Sequence, residues 1–391
     1  MLQPPPGAPA PADAPLDHEA ARNTAADQRL RGLLSQHGIT QLDPGPAPDP
    51  AKAKLGQALF FDKELSGNRD TSCATCHQPQ FAGGDGLSLS IGTGGLGMGP
   101  ERQRGAMRPF IPRNATELFN RGSPEWHTMF WEGRLTGSPR GGFVKPYEFE
   151  SLVALPEGLD SLLAAQALFP VASAAEMRGE RADVDVFGQE NELGWMDDED
   201  LTEIWPGLMK RLLAIPEYRA LFAAAYPDTP LDALGFQHAA NALAAFEIDA
   251  FTLLNSPWDR YLAGDDATLS AQAKQGALLF YGRAGCVQCH GGNLLTDQDY
   301  HNIAVPQIGP GKGRAGMSPH IDPGRARETE DPADRYCFRT PPLRNVALTG
   351  PWMHNGAYLT LEAAVRHHLD PTAALQSYDP AQLNADLRSD T

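Results

Sequence analysis

The stretch Thr71-Ser72-Cys73-Ala74-Thr75-Cys76-His77 decides how the rest of the chain is read. Two cysteines three positions apart, followed at once by histidine, form the attachment pattern of c-type haem. The thiols add to the haem vinyl groups and the histidine ligates the iron. A second copy, Cys286-Val287-Gln288-Cys289-His290, stands in the last third. With five cysteines and eleven histidines in 391 residues, chance does not supply this pattern twice. A structural zinc site would need two further ligands beside each cysteine pair, and each has only its adjoining histidine. A thioredoxin-like redox pair would sit in a βαβ pattern, which this sequence lacks. Two covalently bound haem c groups are therefore expected, one on Cys73, Cys76 and His77, the other on Cys286, Cys289 and His290. The leftover Cys337 reads as a small buried hydrophobe.

The segments that lead into the two motifs are alike. Lys54-Leu55-Gly56-Gln57-Ala58-Leu59-Phe60-Phe61 precedes the first, and Lys274-Gln275-Gly276-Ala277-Leu278-Leu279-Phe280-Tyr281 the second. Each reads as an apolar helix with a glycine where it packs closely, so the expected fold is mainly α, with two cytochrome c-like haem domains and long irregular loops. A flexible proline-rich leader covers 1–16. An N-terminal haem domain with connecting helices follows at 17–262, and a C-terminal haem domain at 263–391. Helical patterns are expected at Asp17 to His37, Leu201 to Leu213, Tyr218 to Ala225 and Leu231 to Leu254, with His238 a scaffold residue. The glycine-rich run from Gly83 to Pro100 is a loop. It does not cradle phosphate, because no strand precedes it and no helix-opening Gly-Lys-Ser/Thr follows. Residues Gly179 to Asp200 are acidic and poorly periodic, and read as a surface excursion.

A formal charge of −17 and an isoelectric point of about 5.0 argue against nucleic acid or an anionic membrane surface as partner. No apolar run is long enough to span a bilayer. Met1 to Pro15 has neither a basic start nor an apolar h-region. Since covalent haem attachment in bacteria takes place outside the cytoplasm, the chain reads as a mature periplasmic protein whose export signal has been removed.

Five further blocks carry a family resemblance: Arg113-Asn114-Ala115-Thr116, Phe130-Trp131-Glu132-Gly133-Arg134, Tyr300-His301-Asn302-Ile303, Arg339-Thr340-Pro341-Pro342-Leu343-Arg344-Asn345 and Pro351-Trp352-Met353-His354-Asn355-Gly356. Together with the haem motifs, and in this order, they resemble the bacterial dihaem cytochrome c peroxidase/MauG superfamily over about residues 50–370. The resemblance implies that the first haem meets peroxide and the second relays electrons, with Trp131 as the bridge between them. Gln166, Pro170 and Glu176 match the spacing of the superfamily's distal residues. Glu176 would take a proton from one peroxide oxygen and return it to the other. Ser173-x-x-Glu176 also fits a helix capping box, which would make the glutamate a helix-start residue only. The stretch from Trp131 to Gln166 is longer than the superfamily's usual spacing, with an insertion at 135–161.

Peroxidases of this group often hold a distal histidine in the loop before the Arg-Asn block. Here no histidine lies between His77 and His127, so the first haem is expected to be five-coordinate and open. Met98 and Met107 are the alternative ligands in that loop. The resemblance places the sixth ligand of the second haem fourteen residues after His354, at His368. Leu361, Ala364, Val365 and His368 fall at helical spacing, which would put His368 on an apolar face and His367 elsewhere. Met353 is the alternative. Asn114, Thr340 and Pro342 match the positions that hold a calcium ion in the superfamily, and oxygen donors suit that hard cation.

The activity implied is a hydrogen peroxide-dependent oxidation. The missing loop histidine and the non-methionine ligand position lean towards MauG-like protein modification, by long-range electron transfer through a high-valent two-haem state. Within that group the Phe169 to Gly179 block and the insertion look most like the MbnH-type enzymes of methanobactin operons, which oxidise a tryptophan of a partner protein. MauG's surface tryptophan before the second motif is absent, with Ala284 in its place. The alternatives are a cytochrome c peroxidase fed by a small cytochrome c or cupredoxin, and a dihaem electron carrier without catalysis.

Overall fold

Helices joined by long irregular segments build the protein in a computed structural model that describes residues 16–137, 155–198, 200–313, 318 and 320–388. Most of the leader, and residues 138–154 of the expected insertion, lie outside the described residues. In chain order the helices are α1 Leu16–Gln36, α2 Pro50–Phe61, α3 Cys73–Cys76, α4 Leu162–Gln166, α5 Leu201–Ala214, α6 Pro216–Ala225, α7 Phe236–Phe251, α8 Pro257–Leu262, α9 Ala271–Phe280, α10 Ala326–Thr329, α11 Leu361–Leu369, α12 Pro371–Gln376 and α13 Ala385–Arg388. Among the described residues, sheet is confined to two antiparallel pairs. Strand β1 (Thr128–Met129) pairs with β2 (Leu135–Thr136), Thr128 opposite Thr136, and β3 (Tyr300–His301) with β4 (Phe338–Arg339), Tyr300 opposite Arg339. The chain is thus mostly helical with little sheet, as the sequence suggested.

The chain folds as two units. One joins residues 1–41 to 255–293, and the other joins 42–254 to 294–391. In the first unit α1 packs on α9 through Ala26, Leu30 and Leu34, which recur every four residues along one face. The buried Asp27 carboxylate on that face takes the Lys274 ammonium at 2.8 Å and the Tyr261 hydroxyl at 3.1 Å. A charge buried in this way persists because it is paired and hydrogen-bonded.

In the second unit the core is α2 against α7, flanked by α5 and α6. Helix α2 starts where Asp49 accepts from the Ala51 and Lys52 amides, with Pro50 at the first helical position. It ends at Asp62, which accepts the Tyr218 hydroxyl at 2.7 Å. Helix α7 is alanine-rich on its buried side, Ala239, Ala240, Ala242, Ala244 and Ala245, so the α2 backbone comes close. A Cβ on Gly56 would lie 1.8 Å from the Ala242 carbonyl oxygen. The glycine of the second lead-in differs: a Cβ on Gly276 would meet nothing within 4 Å, so close packing is realised at one of the two positions only.

The expected helix from Leu231 to Leu254 is shortened at both ends, a single 3₁₀ turn at Leu231–Ala233 giving way to α7. His238 belongs to the scaffold, its ring edge-on to Tyr226 at 4.7 Å. Cys337 is buried, as expected. The acidic excursion is more than surface. Asp183 pairs with Arg108 at 2.6 Å and Asp185 with Arg69 at 2.5 Å, while Asn191 and Leu193 are fully buried. Val184, Val186, Phe187 and Trp195 stay exposed.

Candidate active site

The first haem motif is a single helical turn. Its entry is set by Ser66, whose hydroxyl oxygen accepts from the Asp70 and Thr71 amides, and by the Ser72 amide, which donates to the Thr75 hydroxyl at 2.9 Å. The His77 amide closes the turn on the Cys73 carbonyl at 2.9 Å. His77 directs Nδ1 at the carbonyls of Gly83 (2.9 Å) and Thr116 (3.1 Å), so Nδ1 carries the proton and Nε2 is left as the lone-pair nitrogen. Burial holds this imidazole below its ordinary pKa, hence neutral. Burial likewise pushes the Cys73 thiol up to about 12 and the Cys76 thiol higher still. Glu247 on α7 faces the same region. Burial raises it to about 8, and its Oε2 has no partner among the described residues.

The proposed distal residues follow one another along one connection. Helix α4, capped by Ser161 on the Ala164 amide (3.1 Å), ends at Gln166. Pro170 comes next, then a wide turn over Ala174–Arg178 in which the Gly179 amide donates to Ala174 O at 3.2 Å. Such i→i+5 turns cluster at functional sites. The Ser173 side chain makes no capping bond, so the capping-box alternative for Glu176 is not realised. The Glu176 carboxylate is half-buried and takes no hydrogen bond from the described residues. It lies within electrostatic reach of Cys76, His77 and Lys312.

Trp131 is held at both ends. Its indole N–H donates to Asn114 O at 3.0 Å, its own carbonyl accepts from the Arg339 amide at 2.7 Å, and its ring meets His354 edge-on at 6.4 Å. The preceding Phe130 stands edge-on to Phe169 at 5.6 Å, and the Arg134 guanidinium lies over Phe130 at 3.8 Å. The tryptophan block and the Gln166–Glu176 connection therefore meet. Beneath them is an ion network whose members Arg113, Glu132 and Asp322 are buried. Arg113 grips Asp322 with two bonds of 2.7 and 2.8 Å and also pairs with Glu132, which Arg134 approaches to 3.2 Å. Asp322 carried no sequence signal of its own.

In the first unit the second motif is a 3₁₀ turn, Cys286–Gln288, entered through Gly285 at φ +71°. Trp258 is stacked between Tyr261 and Tyr281, at 6.0 and 5.7 Å, and its buried indole N–H has no partner among the described residues. The expected sixth ligand, His368, lies on α11 of the second unit, and the sequence pattern misjudged the face it occupies. The inward histidine is His367, 1% exposed, bonded through Nδ1 to the Tyr358 hydroxyl (2.7 Å) and through Nε2 to Ile303 O (2.6 Å). His368 is exposed beside Val365 and Leu369, its Nδ1 on Ala364 O at 2.8 Å. Of the expected apolar stripe only Ala364 turns fully inward. Met353 packs partly buried against Tyr358 and its neighbours, at φ +76°.

Comparison with known proteins matches residues 50–267 to the model of the di-haem cytochrome c peroxidase family. The chain belongs to that family. Its relatives include the methylamine utilization protein MauG of Methylorubrum extorquens, 31% identical over 351 residues, covering 88% of this chain and 77% of that one. The cytochrome c551 peroxidase of Pseudomonas aeruginosa is also 31% identical, over 90% of this chain and 80% of that one. Among solved structures, a MauG-like protein associated with microbial copper homeostasis aligns with a TM-score of 0.56 at 28% identity, over 84% of this chain and 79% of that one. The diheme peroxidase BthA of Burkholderia thailandensis shares the fold, with a TM-score of 0.56 at 22% identity.

Membership of the di-haem peroxidase family makes this a peroxide-using dihaem oxidoreductase with two haem c groups. The first site fits that cofactor: a histidine presenting Nε2, two unpaired, half-buried thiols, and an apolar core including Leu59, Phe60 and Phe119 against which Cys73 packs. The orphaned Trp258 N–H in the other unit is what a site built around a missing acceptor would show. At the suggested calcium position the Asn114 amide nitrogen donates to Leu87 O (2.8 Å) and Ser88 O (3.3 Å), leaving its carbonyl oxygen to accept. Pro342 O receives no donor from the described residues, whereas Thr340 O already accepts from Thr296 (2.6 Å) and Arg339 (3.2 Å).

Proposed function

We propose that this chain is a MauG-like enzyme of the periplasm that spends hydrogen peroxide on oxidising a residue, a tryptophan, of a partner protein. The observation that carries this reading is the make-up of the glycine-rich segment. From Gly83 to the Arg-Asn block there is no histidine, and the two methionines there, Met98 and Met107, are 48% and 100% exposed. This supports a first haem left open on that side. When bound through Cys73, Cys76 and His77, the haem supplies the iron at which peroxide is cleaved.

The chain's own part is proton handling and geometry. Glu176 would take the proton from one peroxide oxygen and return it to the other, which departs as water; a carboxylate without other hydrogen bonds from the described residues can do both. Gln166 and Pro170 shape that side. Trp131 would serve as the electron bridge, its indole N–H held by the Asn114 carbonyl and its backbone carbonyl by the Arg339 amide. His368, with Met353 as alternative, would be the further protein ligand of the second haem. A calcium ion on Asn114, Thr340 and Pro342 belongs to the same reading, with the Thr340 carbonyl the contested donor. The partner is a protein that tolerates an acidic surface.

The experiment is the addition of one equivalent of hydrogen peroxide to the diferric protein, followed by optical and EPR spectroscopy. Loss of the ferric signals of both haems without prior reduction is the expected result. A reaction that begins only after the second haem is reduced would establish the other reading, a peroxidase fed by a small cytochrome c or cupredoxin. The 31% identity to a cytochrome c551 peroxidase, equal to that with MauG, keeps it open.

A further inference from the structure

We propose that Gly92 and Thr93 of the glycine-rich segment are positioning residues for Glu176, joining that segment and the acid–base turn into one body. The proposal rests on Glu176 being the proton-transfer group. Gly92 is buried against the turn: a Cβ there would lie 2.1 Å from Ala175 O, 2.5 Å from Glu176 O and 2.9 Å from Glu176 Cα. Three backbone atoms stand where a side chain would begin, so only glycine allows this approach. The next residue uses it. The Thr93 amide donates to Ala175 O and the Thr93 hydroxyl to Glu176 O, each at 3.3 Å. One residue on, the Gly94 amide donates to the Asp70 carboxylate at 2.7 Å, which ties the segment to the strand of chain entering the first haem motif.

The other side of the turn is held as firmly. Met177 O accepts from the Gly67 amide at 2.8 Å, Arg178 O from the Asn191 side chain at 2.7 Å, and the Ala174 amide donates to Asp198 at 2.9 Å. The carbonyls of residues 175 to 178 thus each receive a donor from outside the turn. A wide turn gives up the ordinary i→i+4 bonds, and these outside donors replace them. The segment cannot swing over the first haem site without stripping two donors from the Glu176 turn. Glu176 is therefore poised before any electron arrives.

The test compares the dihaem holoenzyme with its Thr93→Val, Thr93→Ser, Gly92→Ala and Glu176→Gln variants. The readouts are the stopped-flow rate of the diferric protein with hydrogen peroxide and the EPR signal of the first haem. Displacing a catalytic group by about an ångström costs up to roughly a hundredfold in rate. Thr93→Val and Gly92→Ala should therefore slow the reaction roughly tenfold or more and alter the high-spin EPR line shape, while Thr93→Ser, which keeps the hydroxyl, reacts as the unaltered protein does. If Gly92→Ala does not fold, the Thr93 pair decides. Variants with full haem content and unchanged rates, beside a slow Glu176→Gln, would overturn the positioning role and leave Glu176 its chemistry. An unchanged Glu176→Gln would overturn both.

Discussion

Replacing Glu132 by glutamine should destabilise the protein by an amount the structure allows one to work out. The residue is 0% exposed and lies between Arg113 and Arg134, with Asp322 on the far side of Arg113. Burial alone would raise its carboxyl, but the two guanidinium groups outweigh it and hold it at about 2, against an ordinary 4.5. At about 1.4 kcal/mol for each tenfold, that interval corresponds to about 3 kcal/mol at neutral pH. Breaking a buried pair from one side costs a similar ~3–5 kcal/mol. Because the folded value is depressed, the contribution is complete above the ordinary carboxylate range and is lost as pH falls from about 4.5 towards 2. The gap between the wild-type protein and Glu132→Gln, read from urea unfolding of the holoprotein, should be about 3 kcal/mol at pH 7 and shrink to about 1 kcal/mol by pH 3. A gap below about 1 kcal/mol at pH 7, or one that does not change down to pH 3, would refute the assignment of this network as the support beneath Trp131.

The two lead-in glycines should respond oppositely. Gly56→Ala drives a methyl into the Ala242 carbonyl and should cost about 1–3 kcal/mol, whereas Gly276→Ala, with open space, should be neutral or stabilising by up to about 1 kcal/mol; thermal melts decide. His368→Ala should convert the second haem from low to high spin in EPR, while His367→Ala keeps the low-spin signal and loses about 1–3 kcal/mol of stability as Tyr358 and Ile303 lose their partner. A low-spin signal that survives in His368→Ala would pass the ligand role to Met353. Glu247 stays protonated in the folded protein up to about 8 and in the unfolded chain only to about 4.5, so wild-type stability should fall as pH rises between those values. Glu247→Gln should remove that slope, and a slope that persists in urea titrations would assign it to another group.

The residues legible from sequence are those whose chemistry forces a local spacing. A covalent haem needs two thiols and a ligand within five positions, and a superfamily block keeps Arg113 beside Asn114 or Trp131 beside Glu132 for the same reason of short reach. What supports them is tertiary and leaves no such trace. Arg113 meets Asp322 across 209 positions, and Thr93 meets Glu176 across 83. The misjudged face of α11 has the same origin. Helical spacing assigned His368 to the interior because apolar residues recur at its period, but a histidine is buried where its two nitrogens find partners. Tyr358, nine positions before His367, and Ile303, sixty-four before it, supply them to His367 alone.

The contrast between Gly56 and Gly276 separates two kinds of repetition. The lead-ins share lysine, glycine, leucine and phenylalanine at the same places (Lys54/Lys274, Gly56/Gly276, Leu59/Leu279, Phe60/Phe280), yet close approach of the backbone is seen only for the first helix, on the alanine-lined α7. A repeated pattern therefore reports that two helices resemble each other, while what each helix packs against depends on residues that the repeat does not contain. The same reasoning bears on the acidic excursion. Its carboxylates looked like a solvated run because Arg181 is the one basic residue among them in the sequence. Folding sets Asp185 against Arg69, two residues before the first haem motif's lead Thr71, and Asp183 against Arg108 in the segment that ends at the Arg-Asn block. Removing either acid should thus be felt at the haem site before it is felt in global stability, since each arginine it holds belongs to a chain segment that shapes that site.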